Sequence, residues 1–174
     1  MSNTSFLTPR LLLRPFTNED LALVFSGLSH PDVIQYYGVS FHSLEATQEQ
    51  MKWYASIEEN ETGIWRAICS SNGSQFYGAC GLNNISKQHR KAEIGYWLLP
   101  EYQGKGFIIE ALPVLIAHGF SNLNLHRIEA FIETENQSSI KVMQKLNFNL
   151  EGTMRDCEIK NNSFISLNIY AKLH

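Results

Sequence analysis

Two rhythms of apolar residues alternate along this chain, one with the period of a strand and one with the period of a helix. "RLLLRPF" (10–16) is a short apolar run stopped by Pro15, and it predicts a strand. "TNED" follows as a helix start, with Thr17 as N-cap and Asp20 three residues on, close to a capping box. Leu21, Val24, Phe25 and Leu28 then share one helical face, and "SHPD" ends the helix because a residue before proline avoids the helical region. Ser43 caps a second helix to about Glu59, on a weaker stripe of Leu44, Met51, Tyr54 and Ile57. "IWRAIC" (64–69) and "QFYGACGL" (75–82) read as strands joined by "SSNGS", whose Asn-Gly is a hairpin signal. "KAEIGYWLL" (91–99) predicts another strand, bulky enough for burial on both faces.

The second half continues in the same alternation. The segment 104–122 predicts a helix, and Pro113 inside it removes one backbone hydrogen bond, so a kink is expected near Ile109–Leu112. In "RIEAFIE" (127–133) Ile128, Ala130 and Ile132 alternate against Glu129 and Phe131. Asn136 caps a helix through Leu146, with Ile140, Met143 and Leu146 inward and Asn147 placed for a left-handed stop. "FNLEGTMRDCE" and "SFISLNIYAKL" close the chain as two strands around the turn "KNNS". The order is β-α-α-β-β-β-α-β-α-β-β, with no repeat, low-complexity tract or linker. This predicts one mixed α/β domain of the α+β type over residues 1–174.

Composition narrows the function classes. Of 174 residues, 44% are hydrophobic and 18% charged, a globular balance with enough chain for a sizeable core. A net charge of −3 and a pI near 6.1 supply no basic field for nucleic acid. The small basic knot of Lys87, His89, Arg90 and Lys91 reads as a solvated loop. Cys69, Cys80 and Cys157 are far apart and lack ligand spacing, so reduced, partly buried thiols of a cytoplasmic protein are expected. "MSNTSFLTPR" has no signal-peptide core, and no apolar run approaches the ~20 residues of a membrane span. His30, His42, His118 and His126 have no partners at ligand spacing, so no metal is expected.

The chemistry begins at "YQGKGF" (102–107). Two glycines flank one lysine at the mouth of a helix, where turn and first-turn N–H groups converge and the helix dipole favours an anion. The stretch is neither a P-loop nor a dinucleotide fingerprint, and a "GKG" alone is more often just a turn.

Its context resembles the GNAT acetyltransferases. "QGKGFI" (103–108) is similar to their Q/R-x-x-G-x-G/A loop, and "AEIGYWLLPEYQGKG" to the strand leading into it. "NQSSIKVMQKLNF" (136–148) resembles their next helix. "TPRLLLRPFTNED", "LEGTMRD" and "NNSFISLNIYAKL" resemble the ends of the branch that includes the ribosomal-protein N-acetyltransferases. The resemblance spans essentially the whole chain. It implies a central, mostly antiparallel twisted sheet of about seven strands, splayed in the middle and flanked by about four helices. It also implies acetyl-coenzyme A as cosubstrate. The pyrophosphate would lie at Gln103, Gly104, Lys105, Gly106, Phe107 and Ile108, and the pantetheine and oxyanion at the backbone of Trp97, Leu98 and Leu99, with Asn136 heading the adjoining helix.

Three residues become catalytic candidates through the resemblance. Many members carry a tyrosine that protonates the leaving thiolate, and its position here is Met143, which has no proton to give. Ser139 stands where the serine-acetyltransferase branch is taken to hydrogen-bond the coenzyme sulfur, and Glu158 matches that branch's glutamate. Glu93 competes as base, since several members place one on that strand. Ile108 replaces a usual Gly or Ala, so its side chain must point away from the phosphates or the loop must open.

The acceptor is a primary amine, in the leading reading a protein N-terminal α-amine of ribosomal-protein type. Its pKa of about 7.7–8.0 makes deprotonation cost only about 1 kcal/mol at pH 7, against about 4.6 for a lysine amine. A small-molecule amine (polyamine, amino sugar or amino acid) is the alternative, kept open by Glu45, Glu49, Glu58, Glu59 and Glu61. A coenzyme A-binding module without catalysis is another. Tyr36, Tyr37, Phe41, Trp53 and Tyr54 either wall an acceptor cleft or pack the core. A monomer and a homodimer are equally open, and neither nucleic acid nor membrane is expected as a partner.

Overall fold

The computed structural model describes residues 4–174, so the first three residues of the polar N-terminal stretch lie outside it. The strands are β1 (Phe6–Leu7), β2 (Leu11–Arg14), β3 (Ile64–Ser70), β4 (Phe76–Ser86), β5 (Lys91–Leu98), β6 (Arg127–Glu133), β7 (Asn149–Lys160) and β8 (Ser163–Leu173). The helices are α1 (Leu21–Leu28), α2 (Pro31–Ile34), α3 (Leu44–Glu59), α4 (Phe107–Ser121) and α5 (Gln137–Lys145). All eight strands form one sheet in the order β1-β2-β3-β4-β5-β6-β8-β7. Every neighbouring pair is antiparallel except β5 with β6. The mixed α/β architecture expected from the sequence is therefore present, with one more strand and one more helix among the described residues.

Both additions are short and have local causes. β1 is two residues long and pairs with β2. Although "SHPD" does end α1, Pro31 then opens α2 at a first-turn position where its missing N–H costs nothing. His30 Nδ1 accepts from the Asp32 N–H at 3.2 Å.

The expected caps form. Ser43 Oγ accepts from the Ala46 N–H at 3.1 Å, Asn136 Oδ1 from the Ser139 N–H at 3.1 Å, and Asn147 adopts φ 58°. Thr17 N–H donates to Asp20 Oδ2 at 2.7 Å. Burial alone would raise the Asp20 carboxyl, but the paired Arg14 guanidinium and the Thr17 N–H outweigh it and hold its pKa below the usual range.

Four expectations need correction. The α3 stripe is Thr47, Gln50, Tyr54 and Ile57, while Leu44 is exposed; Thr47 is buried without cost because its Oγ1 donates to the Ser43 carbonyl at 2.8 Å. Glu129 is buried, held by Lys91 and Arg127. Cys69 and Cys80 are buried but Cys157 is exposed. Lys91 through Tyr96 do not bury both faces: Lys91, Glu93, Gly95 and Tyr96 are only half-buried. Apart from these, α4 is one helix that contains Pro113. Among the described residues no helix is long and apolar enough to cross a membrane.

Two apolar layers cover the sheet. One, including Ile94, Leu98, Ile108, Leu112 and Met143, packs α4 and α5 on one face. The other, including Val24, Tyr54, Trp65 and Trp97, packs α1 and α3 on the opposite face. In the second layer the Trp65 ring lies over Gly81 and Gly95, its successive neighbours across β4 and β5. A Cβ at Gly81 would come 2.2 Å from Trp65 Cγ, and one at Gly95 2.8 Å from Cζ2. Gly81→Ala is therefore expected to cost about 1–3 kcal/mol through overpacking, read as a lower urea midpoint with an unchanged slope.

Candidate active site

The parallel ladder between β5 and β6 is short. It consists of Lys91↔Arg127, Ala92↔Ile128 and Glu93↔Glu129, after which both strands continue unpaired with each other, β5 to Leu98 and β6 to Glu133. The closed end is clasped by charge. Glu129 accepts from Lys91 Nζ at 2.8 Å and from Arg127 Nε at 2.7 Å, and Arg127 extends the clasp to Glu151 at 2.6 Å. Beyond it opens a cleft of about 630 Å³. All six residues from Glu93 to Leu98 line it. Successive residues of a strand point to opposite faces, so a consecutive run means that β5 presents its edge to the cleft.

At one end of the cleft lies the glycine loop. Gly104 and Gly106 have φ 72° and 79°, and Gly106 is the N-cap of the 15-residue helix α4. The left-handed conformation is one that only glycine adopts at no steric cost, and it turns main-chain N–H groups toward one point. Ile108 is buried in the core, which resolves the expected conflict by turning its side chain away from the loop. Gln103 Nε2 donates to the Leu98 carbonyl at 3.2 Å, tying the loop to the end of β5. Arg10 props it from below: Nη1 donates to the Lys105 carbonyl at 3.2 Å, Nε to Glu110 at 2.6 Å, and the guanidinium covers the Phe107 ring.

The titratable groups divide between the two faces of the splay. Glu93 follows the strand alternation of Gly95 and Trp97, onto the face of α1 and α3. Burial pushes its carboxyl above the usual range, with Glu129 and Glu158 adding to the rise, and Asn84 and Lys91 opposing it. Asn84 Nδ2 donates to Glu93 Oε2 at 2.9 Å. The contact exists because β4 bulges between Asn83 and Ser86, where Asn84 adopts φ 52°. Tyr37 is a further wall residue here, its phenol raised by burial and by Tyr54 and Glu93. On the other face, Ile94, Tyr96 and Leu98 point toward α4 and α5. There Ser139 lines the cleft in the first turn of α5, and Met143 is fully buried one turn on.

Glu158 reaches the cleft from β7, and it does so past an irregularity. Between the pairs Met154↔Leu167 and Glu158↔Ile165, three residues of β7 stand against Ser166 alone. Asp156, at φ 49°, donates its N–H to Ser166 Oγ at 3.0 Å. Lys160 straps the hairpin back across the sheet, bonding Glu133 Oε1 at 2.6 Å and the Gln35 carbonyl.

The structure thus brings Ser139, Glu158 and Glu93 to one cleft together with Trp97, Leu98, Gln103, Gly104, Gly106, Phe107, Ile108 and Asn136. Two expected residues do not line it. Leu99 is buried in the second apolar layer and its N–H already donates to the Tyr77 carbonyl at 2.9 Å. Lys105 turns outward, its ammonium 5.3 Å from the Tyr102 ring. Tyr36 and Tyr37 wall the cleft, whereas Phe41 and Tyr54 pack in the second layer and Trp53 is partly exposed. Of the basic knot, Lys87, His89 and Arg90 form a turn, tied by Lys87 to Glu61 and by Arg90 to Asn124, whereas Lys91 opens β5 and pairs with Glu129. Sequence reading missed Asn84, Arg10 and Tyr96. Only the unpaired "NN" inside a strand signalled the first, and nothing signalled the other two.

The comparisons with known proteins meet this geometry. The family described as Acetyltransferase (GNAT) domain matches residues 10–149. The chain belongs to the GNAT acetyltransferases. YoaA of Bacillus subtilis (strain 168), described as an uncharacterized N-acetyltransferase, is 32% identical over 165 residues, 94% of this chain and 93% of its own. Spermidine N(1)-acetyltransferase of Escherichia coli (strain K12) is 30% identical over 142 residues, 82% of this chain and 74% of its own. The structure of the ribosomal L7/L12 α-N-protein acetyltransferase RimL in complex with coenzyme A superposes with TM-score 0.87 at 25% identity, covering 97% of this chain and 96% of that one. The splayed pair β5 and β6 is therefore part of an acetyl-transfer fold.

In this acetyltransferase, Asn84→Ala removes a hydrogen bond that favours the charged form of Glu93. The Glu93 carboxyl should titrate at still higher pH in the variant, as followed by carboxyl ¹³C NMR. An unchanged midpoint would contradict the role of that contact.

Proposed function

We propose that this protein transfers the acetyl group of acetyl-coenzyme A to a primary amine by direct attack in a ternary complex, and that the acceptor is the α-amine of a protein N-terminus. The observation that carries the reading is the interrupted ladder, with the glycine loop at one end of its cleft and carboxylates at the other. The coenzyme pyrophosphate binds the main-chain N–H groups of 103–108, where the positive end of α4 adds to them. The pantetheine lies along the open edge of β5 as an added strand would. The Leu98 N–H, which points to the opposite edge from the Leu99 N–H bonded to β4, faces the thioester oxygen.

Glu93 serves as the base. Its raised pKa suits it to accept a proton near neutral pH better than an ordinary exposed carboxylate would. It takes one proton from the ammonium, directly or through water. The nitrogen lone pair then bonds to the carbonyl carbon, and charge develops on the oxygen. The C–S bond breaks, and the thiolate leaves beside the Ser139 hydroxyl. The second amine proton ends on the sulfur. Glu158, exposed at the far wall, draws the ammonium in and is the alternative base.

One carboxylate of this kind matches an α-amine, whose deprotonation is cheap, better than it matches a primary alkyl amine. The acids that kept a polyamine in view do not reach the cleft: Glu58 pairs with Arg66, Glu61 with Lys87 and Glu49 with Lys52. A different set favours the second reading, a polyamine, because Asp32, Glu133 and Glu158 all border the acceptor side. The E. coli spermidine enzyme among the relatives supports it equally.

Turnover with peptides beginning with Ser, Ala or Met, against spermidine, separates the two. Peptide acetylation with spermidine inactive supports the first reading, and the reverse overturns it. Glu93→Gln should lower kcat/KM by about 100-fold or more at neutral pH and flatten the acid limb, because activity falls as Glu93 is protonated. Gly106→Glu should abolish coenzyme A binding in calorimetry, since it places a negative, β-carbon-bearing residue at a left-handed position beside the phosphates. Retained affinity would overturn the loop's role.

A further inference from the structure

Tyr96 is the polar side chain that the proposed reaction leaves unused. It stands on β5 between the residues facing α4 and α5, it lines the cleft, and Oη is buried. Among the described residues Oη has no hydrogen-bond partner. A buried hydroxyl without a partner costs about 1–3 kcal/mol, so a fold retains one only where something else holds it. Its neighbour across the cleft wall is the Ser139 hydroxyl, close enough to offset part of the effect of burial without a closed hydrogen bond. Burial still pushes the Tyr96 phenol up to about 12, so it keeps its proton throughout the neutral range and has an O–H to donate. Met143, fully buried in the next turn of α5, offers no hydroxyl to compete.

We propose that Tyr96 is a positioning residue for acetyl transfer: its phenolic O–H donates to Ser139 Oγ, which turns the Ser139 O–H toward the departing coenzyme sulfur. A serine hydroxyl rotates freely and has one proton to direct. If a fixed donor occupies its lone pair, its own proton is left for the thiolate. Tyr96 therefore transfers no proton. The contact tightens when the thioester enters, as catalytic hydrogen bonds often do on leaving the free state. This inference rests on the proposed role of Ser139 and extends it to the group behind it.

Tyr96→Phe removes one oxygen and keeps the ring. A merely structural role predicts that this change is neutral or stabilising, since it deletes an unpartnered buried polar atom. A positioning role predicts a fall in kcat of about 3–10-fold, the worth of one hydrogen bond, at an unchanged KM for acetyl-coenzyme A and an unchanged or higher Tm. In the Ser139→Ala background, Tyr96→Phe should have no further effect on kcat. Full activity of Tyr96→Phe would overturn the proposal. So would an equal loss in both backgrounds, which would make Tyr96 independent of Ser139. A parent-like rate for Ser139→Ala would overturn the role of Ser139 itself, leaving the acetyl-transfer reading, measured by wild-type turnover, intact.

Discussion

A parallel ladder that stops after three residue pairs governs this structure. Main-chain donors and acceptors on the edge of a strand need partners, and a sheet ordinarily supplies them from the next strand. Here β5 and β6 remain in the same sheet but part company beyond Glu93. The clasp of Lys91, Arg127, Glu129 and Glu151 holds the closed end. The result is a slot bounded by main chain, which suits a ligand that binds as a strand does.

The glycine loop is continuous with that slot. β5 ends at Leu98, Gln103 ties back to its carbonyl, and Gly106 starts α4. A left-handed glycine turn at a helix N-terminus and an open strand edge thus meet within a few residues. Arg10 fixes the loop from just before β2, nearly a hundred positions earlier in the chain, through Lys105 and Glu110. Its contacts brace the turn and set a positive charge beside it.

Strand alternation then sorts the chemistry. Successive residues of β5 point to opposite faces, so Glu93 and Tyr96 belong to different sides of one slot. In the proposed reaction, proton removal from the amine is assigned to the side of α1 and α3, and reception of the thiolate to the side of α5. The separation keeps a carboxylate away from the sulfur as negative charge gathers there. On the second side Met143 is fully buried in the core, and the Ser139 hydroxyl one turn earlier lines the cleft.

What the sequence determined by itself was local. The caps at Ser43 and Asn136, the left-handed Asn147, the hairpin at Asn72–Gly73 and the glycine loop before α4 are set by residues within a few positions of one another. Each could be read before any fold was known. The resemblance of whole motifs carried the reading further, to the splayed sheet and to Ser139, Glu158 and Glu93. Tertiary structure alone decided the rest. Leu99 was lost to the core because the β4 neighbour took its N–H. Glu129 was buried because two cations from adjacent strands enclose it. Glu93 acquired its raised pKa from burial under residues distant in sequence, and Asn84 reached it only through a bulge. Tyr96 gained significance from having no partner, a property defined by everything around a side chain and by nothing in its own stretch of chain.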